Sequence, residues 1–132
     1  MSRVLLLDTS ILIELERGVD PGALGIGDQD DLAIATITYG ELWTATELAG
    51  SPEEGEIRRR RLDAAIGMAR LLDYTRSTAM HHARLLAATR RSGRPRGPHD
   101  LIIAAHALES GRALVSRDAA ARFGDLPGVQ VV

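Results

Sequence analysis

The amino-acid sequence predicts a single α/β domain in which a parallel β-sheet is flanked by helices on both faces. Short apolar runs typical of buried strands alternate along the chain with longer segments that have helical spacing of apolar residues. Neighbouring parallel strands must be joined by crossover connections, and a helix is the usual connection. With 132 residues and 45% hydrophobic content, the chain has the size of one ordinary domain, which we expect to span residues 1–132.

The predicted elements follow one another along the whole chain. Strands are expected over 3–7, 32–35, 71–74, 113–115 and 129–132. Helices are expected over 10–17, 38–49, 52–69, 78–91 and 98–109, with a helical turn over 118–122 and a loop over 19–31.

Local signals define where these elements begin and end. The first strand is a continuous apolar run closed by Asp8, and the helix after it stops at Gly18. The Gly-Ser-Pro segment 50–52 separates the second helix from the third, which is highly charged and expected to face solvent. The helix over 98–109 is strongly apolar, and His106 within it is expected to be a core histidine with a hydrogen-bonded ring.

Composition excludes several kinds of chemistry. Cysteine is absent, so disulfides, thiolate catalysis and cysteine zinc sites cannot form. No apolar run approaches the roughly 20 residues that span a bilayer, and the first residues do not fit a signal peptide, so we expect a cytoplasmic protein without a membrane partner. All 16 basic residues are arginine. The absence of lysine argues against P-loop nucleotide hydrolases, phospho-receiver domains and phosphatases of the Asp-x-Asp type.

Four acidic residues stand at strand ends or helix starts. Asp8 follows the first strand, and Glu41 is expected in the first turn of the second helix. Asp100 opens the apolar helix, and Asp118 follows the fourth strand. Ligand sites in open α/β folds lie beyond the carboxyl ends of the strands, so these side chains are expected to converge at one edge. Converging carboxylates repel one another unless a cation lies between them, and oxygen-only ligands favour Mg²⁺ or Mn²⁺.

Each of these acids also has a purely structural interpretation. Thr38 and Glu41 have the spacing of a capping box, and the three aspartates are suitable helix-start residues. Taken one at a time, the acids are as consistent with caps as with ligands. Their shared position favours a site, because other acids, such as those at 53, 54 and 56, fall on stretches that are expected to be exposed.

Four motifs contain these acids and occur in a fixed order. They are LLLDTSILI at 5–13, ITYGEL at 37–42, DLIIAA at 100–105 and LVSRD at 114–118. Each motif is weak alone, but together they span nearly the whole chain, and the sequence resembles the PIN-domain nucleases, above all the VapC toxins of bacterial toxin-antitoxin modules. Two departures are local: Ser116 stands where many relatives carry threonine, and segment 42–45 lacks a glycine.

The resemblance implies a parallel five-stranded sheet and a Mg²⁺-dependent endoribonuclease, with Mn²⁺ able to substitute. It also implies a toxin that inhibits translation and growth, a homodimer, and inhibition by a VapB-type antitoxin. Asp8 and Asp100 are expected to bind the metal directly, whereas Glu41 and Asp118 bind it through oxygen or through water. The hydroxyls that support this site are expected from Ser10 and Ser116.

Two further sets of residues are assigned to binding partners. Contacts to RNA phosphates are expected from an arginine cluster close to the proposed site, namely Arg91, Arg94 and Arg96. The run Arg58–Arg61 is equally consistent with a solvated helix face. An apolar groove for the antitoxin is expected from Leu42 and Trp43 together with Ile11, Leu12 and Leu15, although core packing is the alternative for Trp43.

Two other functions stay open at this point. A PIN-like domain could be a catalytically silent module that binds nucleic acid or protein, or a nuclease that cuts DNA. The presence of all four acids argues against a silent module but does not separate RNA from DNA. The sequence also leaves open which RNA is cut and whether one metal ion or two take part.

Overall fold

The computed structural model describes residues 2–132 and contains a parallel β-sheet of four strands in that part of the chain. The strands are β1 (Val4–Leu7), β2 (Asp31–Ala35), β3 (Ala69–Leu72) and β4 (Ala113–Val115), arranged in the order β3-β2-β1-β4. All three pairs are parallel, as the sequence predicts. The chain builds outward from β1 through β2 and β3, then returns to the other side of β1 as β4. The topological switch point therefore lies between β1 and β4, where ligand sites of open α/β sheets are found.

Five α-helices occur in the described residues, together with three short 3₁₀ turns. The helices are α1 (Thr9–Glu16), α2 (Thr36–Glu47), α3 (Pro52–Ile66), α4 (Arg76–Ser92) and α5 (Pro98–Ser110), and the turns are Pro21–Leu24, Ala119–Ala121 and Phe123–Asp125. Ser51 and Thr75 begin α3 and α4 with hydroxyls that accept backbone N–H groups of the first turn. Gly93 and Gly111 end α4 and α5 at positive φ, which glycine adopts without strain. None of these helices is long and apolar enough to cross a membrane.

Helices cover both faces of the sheet, as predicted. Leu6 of β1 packs in one core with Leu85 of α4 and Leu101 of α5. Leu5, its neighbour on the strand, packs on the opposite face with Ile11 of α1. This alternation explains why the strand is a continuous apolar run, since neither of its faces meets water.

The predicted fifth strand over 129–132 is not a strand in the described residues. This segment meets the sheet only at a single parallel bridge between Val131 and Leu114. Two residues before Leu114, the backbone of Arg112 could continue the pairing. Its N–H instead donates to the carbonyl of Ala107 at the end of α5, at 3.1 Å. The Arg112 amide is therefore not available to extend the pairing toward the start of β4.

Several element boundaries differ from the predictions by a few residues. α3 ends at Ile66, three residues early, and β3 begins at Ala69, two residues early, because pairing with β2 sets its register. α2 begins at Thr36, so Thr38 lies inside the helix and the predicted capping box is wrong. The residue that precedes α2 is Ala35, which has no side chain able to cap the helix.

His106 is a core residue, but its ring is not hydrogen-bonded to any described residue, which corrects that part of the prediction. The side chain is fully buried and both ring nitrogens lack partners. The Glu109 carboxylate lies 4.0 Å from Nδ1, while the hydroxyls of Thr75 and Thr78 donate to it instead. Burial lowers the pKa of His106, although the nearby Glu109 acts in the opposite direction.

The amino ends of the strands are joined by Arg112. Its side chain is 9% exposed and lies just before β4. Nη1 donates to the carbonyl of Leu5 in β1 at 3.1 Å, and to the carbonyl and carboxylate of Asp31 in β2 at 2.9 and 2.8 Å. The hydrogen bond from Arg112 holds the pKa of Asp31 below its ordinary value. One guanidinium thus connects three adjacent strands at the amino edge of the sheet.

Candidate active site

The four predicted acids lie on elements that leave the carboxyl edge of the sheet. Asp8 follows β1 and caps α1, and Asp118 follows β4 and caps a 3₁₀ turn, so these two acids flank the switch point. Asp100 lies in the first turn of α5. Glu41 is the sixth residue of α2, in the second helical turn and not the first as predicted, because α2 starts before Thr38.

Asp8 has the most constrained side chain of the four. It is 4% exposed, and its Oδ1 accepts hydrogen bonds from the Ser10 hydroxyl at 2.6 Å and the Ile11 amide at 3.1 Å. Its Oδ2 accepts a short hydrogen bond from the Ser116 hydroxyl. Three donors therefore hold this carboxylate in one orientation.

The hydroxyls of Ser10 and Ser116 are fixed in turn by backbone amides. The Arg117 amide donates to Ser10 Oγ at 2.9 Å, and the Asp118 amide donates to Ser116 Oγ at 3.0 Å. Because each hydroxyl accepts from an amide, its own proton is free to point at Asp8. The two supporting hydroxyls predicted from the sequence thus link the end of β1 to the segment after β4.

Glu41 is held by two side chains to which sequence reasoning gave no role. Thr9 Oγ1 donates to Glu41 Oε1 at 3.3 Å, and His99 Nδ1 lies 3.4 Å from the same oxygen. The His99 side chain is half exposed, so it contacts both Glu41 and solvent. Their position in the sequence could have indicated this role, since Thr9 follows Asp8 and His99 precedes Asp100.

Asp100 shows that the four acids share one electrostatic environment. Burial raises its pKa, and the negative charges of Asp118, Asp8 and Glu41 raise it further, whereas His99 acts in the opposite direction. Gly97 at the start of α5 leaves room for this carboxylate, because a Cβ at that position would lie 3.2 Å from Oδ2. The ionised form of Asp100 is therefore disfavoured until positive charge is supplied.

The four acids have the donor atoms and the charge that a hard divalent cation requires, but their side chains are too far apart to hold one together. All candidate donors are oxygens, which suit Mg²⁺ or Mn²⁺. Within residues 2–132, no three acidic or histidine side chains are close enough together to hold an ion. Ligation by several of these acids therefore requires their side chains to draw closer.

Asp100→Asn is expected to raise the melting temperature of the metal-free protein at neutral pH. The pKa of Asp100 is raised in the fold, so its ionisation costs stability, and that cost appears as the pH rises through the folded pKa. Thermal unfolding in EDTA measures the difference, and roughly 1 kcal/mol corresponds to about 4 °C for a domain of this size. The gain is expected to disappear at acid pH, where Asp100 is already protonated.

Asp30→Asn is the matched control for this measurement, and its melting temperature is expected to change in the opposite direction. The Arg3 guanidinium holds the pKa of Asp30 well below its ordinary value, so the ionised form stabilises the fold. Loss of that charge is expected to lower the melting temperature at neutral pH. An unchanged or lower value for Asp100→Asn would contradict the electrostatic description of the site.

The arginine cluster predicted to bind RNA divides into two parts. Arg91 and Arg94 are exposed, and their role in RNA binding stays a prediction. Arg96 does not fit that role, because its side chain is 4% exposed and faces the protein. Nε donates to the carbonyl of Ala121 at 3.1 Å and Nη1 to that of Arg94 at 3.0 Å. The partner Ala121 is 25 residues away in sequence, which hid this structural role.

The predicted antitoxin groove also needs correction. Ile11 and Leu12 are 1% and 0% exposed and belong to the core, so they cannot line an open groove. Leu15 lines an open groove of about 490 Å³ between α1 and α3. Trp43 is half-buried, stacks near Tyr39 and donates through its indole N–H to a glutamate of its own helix at 2.9 Å. For Leu15, Leu42 and Trp43 the assignment stays a prediction.

Known proteins resemble this chain in sequence and in fold. A family model described as "PIN domain" matches residues 5–127. A protein of Salmonella typhimurium named "tRNA(fMet)-specific endonuclease VapC" is 30% identical over 100 residues, which cover 76% of this chain and 73% of that protein. The DNA-bound VapBC structure from Salmonella typhimurium matches with a TM-score of 0.80 and 25% identity, covering 100% of this chain and 98% of that chain.

A second solved structure extends the likeness in fold. VapBC2 from Rickettsia felis, bound to a DNA fragment from its promoter, has a TM-score of 0.84 and covers 98% of this chain and 97% of that chain. Its sequence identity is 19%, so this likeness concerns the fold alone.

Proposed function

The chain belongs to the PIN-domain family, and from that membership we propose that it is a VapC-like endoribonuclease that depends on Mg²⁺ or Mn²⁺. The observation that carries the proposal is the placement of Asp8, Glu41, Asp100 and Asp118 on elements that leave the carboxyl edge of the sheet, with Asp8 and Asp118 on the two sides of the switch point. A site that concentrates negative charge at a switch point is suited to recruit a divalent cation.

In the proposed reaction, the acidic side chains bind the divalent cation and the serine hydroxyls orient one of these acids. When bound, a divalent cation of this kind activates water for attack on a phosphodiester and offsets charge on the phosphate oxygens. Asp8 and Asp100 are proposed to hold it directly, with Glu41 and Asp118 acting directly or through water. Ser10 and Ser116 fix both oxygens of Asp8, so the other acids are the ones expected to move toward this carboxylate when the ion binds.

The proposed substrate is tRNA, because the relative from Salmonella typhimurium is named for tRNA(fMet). We propose further that the chain is a toxin that inhibits translation, that it forms a homodimer, and that a VapB-type antitoxin inhibits it. The groove beside Leu15, together with Leu42 and Trp43, offers apolar surface for such a partner. Light scattering of the purified chain, alone and with the protein encoded next to it, tests both assemblies.

A cleavage assay tests the catalytic proposal. The purified chain is incubated with tRNA(fMet), an elongator tRNA and single-stranded DNA, each with Mg²⁺, with Mn²⁺ or with EDTA. We expect RNA fragments with either ion and none with EDTA. Cleavage that EDTA does not affect would show that the acids serve another purpose. DNA fragments alone would favour a DNA nuclease, and binding without cleavage under any ion would favour a silent module.

A further inference from the structure

The two arginines beside Asp118 differ from three arginines of the α3 run in how they are paired. On α3, Arg58, Arg59 and Arg60 form ion pairs with acids of the same helix. Arg117 and Arg122, on the two sides of Asp118, are exposed and form no ion pair with any carboxylate of the described residues. Their charge is therefore available to a ligand, whereas that of the α3 run is largely compensated.

Arg122 has an unusual backbone conformation for an arginine. It lies at φ 48° and ψ 48°, and within 2–132 it is the only residue other than glycine with positive φ. The 3₁₀ turn Ala119–Ala121 ends at this residue and the next turn starts from it. Glycine would adopt this conformation without strain, and the exposed side chain adds no core packing. A strained residue in the same groove as a proposed metal-binding carboxylate points to a function for its side chain.

Arg117 is positioned by the same contacts that orient Asp8. Its amide donates to Ser10, and its Nη2 donates to the carbonyl of Ala23 at 3.2 Å. The remaining donors of the guanidinium have no acidic partner. A groove of about 250 Å³ runs beside Asp118 and is lined by both arginines and by Ser116.

We propose that Arg117 and Arg122 form a phosphate-binding site for single-stranded RNA on the Asp118 side of the scissile bond. This inference rests on the proposed function, because the ligand is the substrate of the same site. Guanidinium forks bind phosphate oxygens in a bidentate manner, and both of these arginines line the groove that Asp118 also lines. The sequence predicts RNA contacts only from arginines before Asp100, so this site adds two cations from the segment after β4.

Binding of a fluorescent single-stranded RNA in EDTA, measured by anisotropy at several salt concentrations, tests the site without catalysis. Arg122→Gly is expected to weaken binding roughly tenfold, because one charge-assisted contact is lost. The slope of log affinity against log salt is expected to become shallower by about 0.7, the contribution of one phosphate on a single strand. The melting temperature is expected to stay equal or rise, since glycine removes the backbone strain.

Three further variants complete the experiment. Arg122→Lys, which keeps the charge, is expected to bind closer to wild type than Arg122→Gly does. Arg117→Gln is expected to weaken binding to a similar extent as Arg122→Gly. Arg60→Gln removes a charge that Glu56 already pairs and is expected to leave affinity and slope unchanged.

The outcomes separate this inference from the proposed function. If wild type cleaves RNA while Arg122→Gly and Arg117→Gln bind with wild-type affinity and slope, the phosphate site is overturned and the nuclease proposal stands. An equal loss of affinity in Arg60→Gln would also overturn it, since the effect would then be one of net charge. If wild type neither binds nor cleaves RNA, both proposals fail.

Discussion

Asp8→Asn is expected to reduce RNA cleavage by more than about 100-fold while leaving the fold intact. Removal of groups that only support a metal ligand costs roughly 10- to 100-fold, and loss of a ligand charge should cost more. Asparagine caps helices as well as aspartate does, and its Oδ1 can still accept from Ser10 and Ile11. Cleavage rates at saturating Mg²⁺, with circular dichroism and melting temperature as checks on folding, measure the effect.

Two variants serve as comparisons for Asp8→Asn. Ser116→Ala removes one hydroxyl that holds the carboxylate but keeps the charge, so its loss is expected within roughly 10- to 100-fold. Asp63→Asn makes the same charge change on α3, in an exposed ion pair, and is expected to cleave normally. Normal activity of Asp8→Asn would remove Asp8 from the site. An equal loss of cleavage in Asp63→Asn would show that the net charge of the protein matters, and not the position of Asp8.

Arg112→Met is expected to lower the free energy of unfolding by about 2–4 kcal/mol, the largest stability effect that we predict. The guanidinium is nearly buried and its hydrogen bonds reach β1 and β2, and bonds to charged groups contribute about 1.5–3 kcal/mol. Total stabilities of domains are about 5–15 kcal/mol, so the change is readily measured. Urea unfolding followed by circular dichroism gives the value, and the melting temperature should fall by roughly 10 °C.

Arg70→Met is the matched control, because Arg70 contacts the same Asp31 carboxylate. That ion pair is longer, at 3.7 Å, and the Arg70 side chain is 65% exposed, so its loss should cost less than about 1 kcal/mol. Equal effects of the two variants would mean that the pairing of Asp31, and not the link between strands, stabilises this edge.

Features with a local cause could be predicted from the sequence. β1 is buried on both faces and therefore apolar throughout, and α5 is an apolar helix, so both were identified from residue type alone. The positions of Asp8 and Asp118 followed in the same way, since each acid directly ends or follows an apolar strand. The hydroxyls of Ser10 and Ser116 lie close to these acids in sequence and also meet them in space.

Features that depend on partners distant in sequence could not be predicted. The predicted fifth strand is only one bridge, and the Arg112 amide that could extend it is used by α5; no pattern within 129–132 reveals that competition. Arg96 resembles a phosphate ligand by type and position, yet a carbonyl 25 residues away accepts its proton. His106 was expected to have a ring partner, but the hydroxyls of α4 bind the nearby carboxylate instead.

The contacts of Arg96 also affect how Asp100 and Asp118 are placed relative to each other. Its planar group connects the loop that leads into the helix of Asp100 with the turn that Asp118 begins. A guanidinium donates along fixed directions, whereas an ammonium group would leave the angle between the two segments free. The spacing between the segments that carry Asp100 and Asp118 is therefore restrained by an arginine that pairs with neither acid. Replacing it would alter that spacing while leaving both carboxylates chemically intact.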